Sequence, residues 1–184
     1  DPRLGATGRY RAPNGRIISA AQARDILDRT LSSAADPIKD LSTMLREGNV
    51  SLEDWRLQMR TQIKNAHLAS AAMQKGGWDQ MTSSDFGRVG RIVRTNYDYL
   101  ERFTQQIASG KQRLDGTLYR RAKQYVDMSR ATYHKFEQLG MVDMGFTEER
   151  NVLYPADHCD GCLAETAKGW QKIGEMIPIG QRDC

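Results

Sequence analysis

The three cysteines of the chain, Cys159, Cys162 and Cys184, all fall within its last 26 positions, and His158 directly precedes the first. Gly161 lies inside the Cys-x2-Cys linker, so the backbone there can turn and bring both sulfurs to face one point. Tetrahedral Zn2+ takes that arrangement from thiolates supplied in pairs. The second pair stops after its first cysteine. The donor set is therefore Cys159, Cys162 and Cys184, with the fourth ligand either His158 or a residue beyond Cys184. The chain opens on Asp1 rather than Met, and we expect it to be trimmed at both ends. The competing reading is a metal-free turn of reduced cytosolic cysteines.

No catalytic constellation accompanies these residues. Zinc deaminases place a His-x-Glu upstream of their Pro-Cys-x2-Cys to supply a third ligand and a proton shuttle. Here Ala69 and Phe136 stand two residues after His67 and His134. His-Glu-x2-His, Gly-x4-Gly-Lys and Gly-x-Ser-x-Gly are absent as well. The pair Glu148-Glu149 has no basic partner in helical spacing and reads as solvated charge. The chain is expected not to be an enzyme. A zinc enzyme with an open coordination position is a third reading, which four-thiolate coordination would exclude because catalytic zinc reserves a place for water.

At 184 residues there is chain enough for one domain with a substantial core. No apolar run approaches the length of a membrane-crossing helix, no secretory leader is visible, and no membrane partner is expected. An odd number of clustered cysteines argues for a reducing compartment rather than a disulfide framework. Charge is unevenly placed. Residues 1–24 carry five Lys and Arg against one acid, residues 86–135 eleven against four, and residues 136–184 four against nine. A basic surface attracts polyanions without choosing among them.

The elements that must position these groups are mainly helical. Residues 1–18 form a flexible arm ending in a small hairpin, with Asn14-Gly15 at its turn and Tyr10 and Ile17 as strand formers. Two strands alone are marginal, so the arm should dock on something else. Residues 19–140 read as an elongated antiparallel helical bundle. Ser19 caps a first helix over residues 19–31. Asp36-Pro37 starts a short second one ending at Gly48-Asn49. Ser51-Leu52-Glu53-Asp54 opens a long third helix with Leu52, Trp55, Met59, Ile63, Ala66 and Met73 on one face. His67, at the edge of that stripe, reads as a packed or capping side chain. Thr82-Ser83-Ser84-Asp85 opens a fourth, amphipathic helix. Val89, Ile92, Val93, Leu100, Phe103 and Ile107 lie on one side of it, and Arg88, Arg91, Arg94 and Arg102 on the other. A fifth is expected over residues 115–138, with Leu118, Ala122, Tyr125, Ser129, Thr132 and Phe136 inward. Residues 146–184 form a Cys- and Gly-rich, zinc-knuckle-like module. A strand over residues 150–155 leads into it, one or two helical turns lie over residues 162–168, and an irregular loop follows. A bound metal would supply stability that so small a core cannot.

Asn151-Val152-Leu153, Asp157-His158-Cys159-Asp160-Gly161-Cys162, Gly169-Trp170 and Pro178-Ile179-Gly180 followed by Cys184 resemble the end of tailed-phage head-morphogenesis proteins of the Mu type, also called minor capsid proteins. Gly87-Arg88-Val89-Gly90-Arg91 and Asn14-Gly15-Arg16-Ile17-Ile18-Ser19 are similar to segments of the same phage-like relatives. The family's second cysteine cluster is missing here. The resemblance implies a non-enzymatic virion protein in few copies, at or near the portal vertex, acting in head assembly or genome packaging. Its partners would be the portal protein, other capsid proteins and in some cases phage DNA, within a larger symmetric assembly. It would be found in the virion, and in the host cytoplasm during assembly. On this reading Arg88, Arg91, Arg94 and Arg102 meet DNA phosphate or an acidic portal surface. The alternatives are a nucleic-acid-binding zinc protein and an abundant shell or cement protein. The acidic residues Asp157, Asp160 and Glu165 around the knuckle count against the first of these.

Overall fold

A computed structural model of the chain describes residues 3–4, 10–11, 16–153 and 155–177. They divide into two compact units, Asp1–Phe136 and Glu137–Cys184. The first unit is a helical bundle. Helix α1 spans Ala20–Arg46, α2 Leu52–Lys75, α3 Ser83–Ala108, α4 Gly116–Asp127 and α5 Ser129–Asp143. The last of these runs on into the second unit.

Local chemistry sets the boundaries. Ser19 accepts from the Gln22 amide, and the Gln22 side chain returns the bond to the Ser19 amide. Ser51 accepts from the Asp54 amide, and Thr82 and Asp85 cap one another at the start of α3. Each such cap contributes about 1 kcal/mol by satisfying amides that the first turn leaves open. Helix α2 stops at Gly76, whose φ of 91° is a left-handed value that a side chain resists.

Two helix assignments from sequence need correction. Residues 20–46 form one helix rather than two, with Pro37 inside it. A proline there removes one backbone hydrogen bond and costs about 3 kcal/mol. Leu27, Leu31, Ala35, Ile38, Leu41 and Leu45 nevertheless form one unbroken buried stripe across it. Continuous burial outweighs the local breaker. In the opposite sense, the helix expected over residues 115–138 is two helices that part at Met128. The break is bridged by bonds from the Ser129 hydroxyl to the Val126 carbonyl (2.6 Å) and from the Ala131 amide to the Met128 carbonyl (3.1 Å). Helix α5 then passes Gly140 without stopping.

Helix α2 sits at the centre, against α1, α3 and α4. Contacts Arg56–Glu101, Arg60–Tyr97 and Lys75–Asp85 fix α3 antiparallel to it. The main core cluster joins Ile38, Leu41 and Leu45 of α1 to Trp55, Met59 and Ile63 of α2, Leu100 and Phe103 of α3, and Leu118, Ala122, Tyr125 and Val126 of α4. Ile92 and Ile107, expected inside, are half-buried.

The N-terminal arm is a three-stranded antiparallel sheet. Strand β1 is Arg3–Leu4, β2 Tyr10–Arg11 and β3 Ile17–Ile18, with Tyr10 opposite Ile18 and Arg11 opposite Ile17. Strand β1 lies against α2. It was not legible in the sequence, and the Asn14-Gly15 turn lies outside the described residues.

A polar seam crosses the bundle between α2 and α5. His67 is 1% exposed, and its Nδ1 lies 2.6 Å from the Thr132 hydroxyl. The Ser70 hydroxyl donates to Ser129 one turn further on (3.2 Å). Nε2 of His67 is buried with no hydrogen-bond partner among the described residues, so a charged ring would be poorly solvated. Burial accordingly pulls the His67 pKa down from 6.5 to about 4. The unfolded chain takes this proton near pH 6.5 and the fold only near pH 4. Stability is therefore full above the first value and falls as the pH drops toward the second. Urea melts should show a loss of roughly 3 kcal/mol between about pH 7 and about pH 4 from this group. His67→Gln, which keeps a hydrogen-bonding group for Thr132 but does not titrate, should remove that part of the slope. An unchanged slope in the variant would assign the acid sensitivity elsewhere.

Candidate functional site

Two surfaces hold the residues singled out by sequence, one in each unit. The first is the outward face of α3. Val89, Val93, Leu100 and Phe103 are buried, which turns the arginines outward. Arg91, Arg94 and Arg102 are exposed and Arg88 is half-buried. The four are not equivalent. Arg88 bonds Asp85 (3.2 Å) and Arg102 lies over the Tyr99 ring (5.8 Å). Among the described residues Arg91 and Arg94 have no ion pair, and they are the least committed cations of the row. Asp98 and Glu101 share this face, and Glu101 pairs with Arg56.

Asp85 anchors the start of that face. It is 1% exposed and receives bonds from the Thr82 amide (3.0 Å) and hydroxyl (2.7 Å), with Lys75 3.4 Å away. Burial pushes its pKa up. The Thr82 bonds and the Lys75 charge outweigh burial and hold the carboxyl below its ordinary value. Gly87 and Gly90 lie on the outward side of α3, and a methyl group built at either would meet nothing within 4 Å. No packing among the described residues explains these two helix-interior glycines, each less favourable than Ala by about 1 kcal/mol.

The second surface is the module within Glu137–Cys184. Strand β4 is Glu148–Glu149, α6 Asp160–Ala167 and β5 Gln171–Lys172, with β4 and β5 antiparallel. The strand expected over residues 150–155 is not formed at its described positions, and β4 ends just before it. The partner of β4, in the stretch read as an irregular loop, was missed. Glu148-Glu149 is not merely solvated charge. Glu148 lies opposite Lys172 in the sheet, and Glu149 accepts from Gln138 (2.9 and 3.0 Å) and from the Gly174 amide (2.8 Å). Those partners lie 11 and 25 residues away, beyond any local spacing rule.

Glu165 is the organising residue of this module and the only one of its described residues that is fully buried. It accepts from Lys168 (2.7 Å), Gln171 (2.9 Å) and the Ile177 amide (3.3 Å). The bonds from Lys168 and Gln171 lead in drawing its pKa down to about 2. Asn151 ties the incoming chain to α6 through Thr166 (2.5 Å) and the Cys162 carbonyl (3.5 Å). Sequence reading placed Glu165 only as an acid near the knuckle. Lys168 stands at i,i+3 spacing from it, but Gln171 and the Ile177 amide lie 6 and 12 residues on, outside any local pattern.

The knuckle turn itself is the first turn of α6. Cys159 is the residue before the helix, and its carbonyl accepts from the amides of Cys162 (3.0 Å) and Leu163 (3.1 Å). The turn thus sets the backbones of Cys159 and Cys162 one hydrogen bond apart. Their chemistry differs from the expectation, however. Cys159 is disulfide-bonded, whereas Cys162 keeps its thiol and is half-buried. A disulfide sulfur is not the thiolate that zinc takes. His158 is half-buried, and Cys184 and Pro178-Ile179-Gly180 lie outside the described residues. Among the described residues no three His, Cys, Asp or Glu side chains are grouped to hold a metal.

No protein-family model, no curated protein and no solved structure matches the chain.

Glu165→Gln should loosen the module selectively, because a neutral amide cannot hold Lys168, Gln171 and the Ile177 amide as a carboxylate does. Limited trypsin digestion is expected to cut after Lys168 and Lys172 several-fold faster than in the parent chain, while residues 20–127 stay intact. Equal cleavage rates would remove Glu165 from the centre of the module.

Proposed function

We propose that this chain is a non-enzymatic structural protein of a tailed-phage head, of the minor capsid or head-morphogenesis kind, working at or near the portal vertex in head assembly or genome packaging. The observation that carries the reading is the outward face of α3, where Arg91 and Arg94 project beside two bare glycines from a bundle whose apolar side is already filled. Such a face suits a polyanion or an acidic protein surface. The residue pattern around Asp157-His158-Cys159-Asp160-Gly161-Cys162 supplies the resemblance that narrows it to phage assembly. The partners are then the portal protein, other capsid proteins and phage DNA, and the setting is the virion and, during assembly, the host cytoplasm. The exposed acids Asp157 and Asp160 beside the knuckle disfavour a zinc protein that grips nucleic acid through the module itself. Zinc belongs to the reduced form of this reading, with Cys159, Cys162, Cys184 and His158 as donors. Uptake by reduced protein that Cys162→Ser leaves unchanged would remove the metal from it.

Quantitative mass spectrometry of purified particles tests the assignment. A small fixed ratio of this chain to the portal is the expected result. Hundreds of copies would indicate a shell or cement protein instead, and absence from both particles and assembly intermediates would contradict a head protein altogether. If α3 meets DNA, binding should weaken steeply with salt, and Arg91→Ala with Arg94→Ala should flatten that slope by about one counterion per lost phosphate contact.

A further inference from the structure

The two units carry opposite charge. Residues 1–136 hold 23 Lys and Arg against 14 Asp and Glu, a net of +9, and residues 137–184 hold 4 against 9, a net of −5. The acidic unit also leaves apolar side chains uncovered. Val142 is 51% exposed, Phe146 53% and Trp170 61%. These residues are not scattered. Phe146 and Trp170 line an open groove of about 300 Å³ with Gly145, Thr147 and Glu148, and a second of about 450 Å³ adjoins it along Val142, Lys172 and Ile173.

The groove has the chemistry of a guanidinium receptor. Two aromatic faces attract a cation and exclude water from it, while Glu148 supplies the opposite charge. The protein already uses half of that chemistry, since Arg150 lies 4.9 Å from the centre of the Trp170 ring. Lys172 and Arg150 are the opposing charges at the rim. Glu148 is exposed at the groove, and the unit as a whole stays net acidic.

We propose that this groove receives Arg91 and Arg94 from α3 of a second copy of the chain. Those two arginines are exposed and lack ion pairs among the described residues, and Gly87 and Gly90 leave the helix beside them bare enough for close approach. The inference rests on reading α3 as a docking face and names its partner. The two surfaces differ and lie on different units, so the contact is head-to-tail. Repetition closes into a ring or extends as an open series, depending on the angle between copies. The charges set register and encounter rate, and the rings supply the water-excluded centre.

Sedimentation velocity on nuclease-treated full-length chain tests this. Association should rise with protein concentration, and its dissociation constant should increase on the order of tenfold from about 50 to about 500 mM salt. Arg91→Glu with Arg94→Glu, or Glu148→Arg alone, should each give monomer at concentrations where the parent associates. Both changes lie on exposed faces, and unaltered helical circular dichroism would show that the bundle is kept. Mixing the two variants should restore association, because the acidic α3 of one then meets the basic groove of the other. A parent chain that stays monomeric at low salt overturns the proposal, as does association that survives either variant, or a mixture that stays monomeric. A monomer that still binds DNA in a salt-dependent way would overturn self-docking and leave the polyanion reading of α3 standing.

Discussion

Three aromatic rings hold the bundle at one point. Phe103 of α3 meets the edge of Trp55 from α2 at 5.8 Å and stacks on Tyr125 of α4 at 6.1 Å, and the Arg121 guanidinium lies 4.4 Å from its ring centre. Trp55 and Phe103 are fully buried. Rings of this size bury more apolar area than any aliphatic side chain and prefer such edge and offset contacts. Ile38, Leu41 and Leu45 of α1 complete the cluster, so four helices depend on it. Once it forms, the rotation of α3 is fixed and its arginine face must point outward. The exposed arginine face is thus a consequence of core packing rather than a separate design.

The second unit is held by a different kind of force. Its described residues include no buried apolar side chain, and its centre is the carboxylate of Glu165 with its donors. Glu149 and Asn151 extend that polar network to α5 and α6. Hydrogen bonds contribute modestly once their exchange with water is counted. Such a module depends strongly on each partner, and the disulfide at Cys159 adds a covalent restraint. The apolar groups that a larger core would have absorbed, Phe146 and Trp170 among them, stay at the surface.

Much of the bundle was legible in the sequence because its signals are local. The caps at Ser19, Ser51 and Thr82 lie within one turn of what they satisfy, and the stripe from Trp55 to Met73 repeats at helical spacing. What escaped was decided at longer range. Pro37 was read as a helix start because the stripe running past it is stabilised by α2 and α4, which local propensity does not see. The break at Met128 has no turn residue of its own, and strands β1 and β5, two residues each, are too short to show a periodic pattern. At the candidate site, the arginine row was readable from periodicity, but its division into engaged Arg88 and Arg102 and open Arg91 and Arg94 was not. The oxidation state of Cys159 and the role of Glu165 depend on groups brought together only by folding.

The chain therefore holds two parts built on unequal principles: a cohesive basic bundle and a lightly held acidic module. Native-state hydrogen exchange on the full-length chain tests that division most directly. Amides flanking Trp55, Phe103 and Tyr125 should exchange only through global unfolding, while those of residues 148–177 exchange through a separate opening of much lower free energy. Equal protection of both segments, lost together as denaturant is added, would contradict the account.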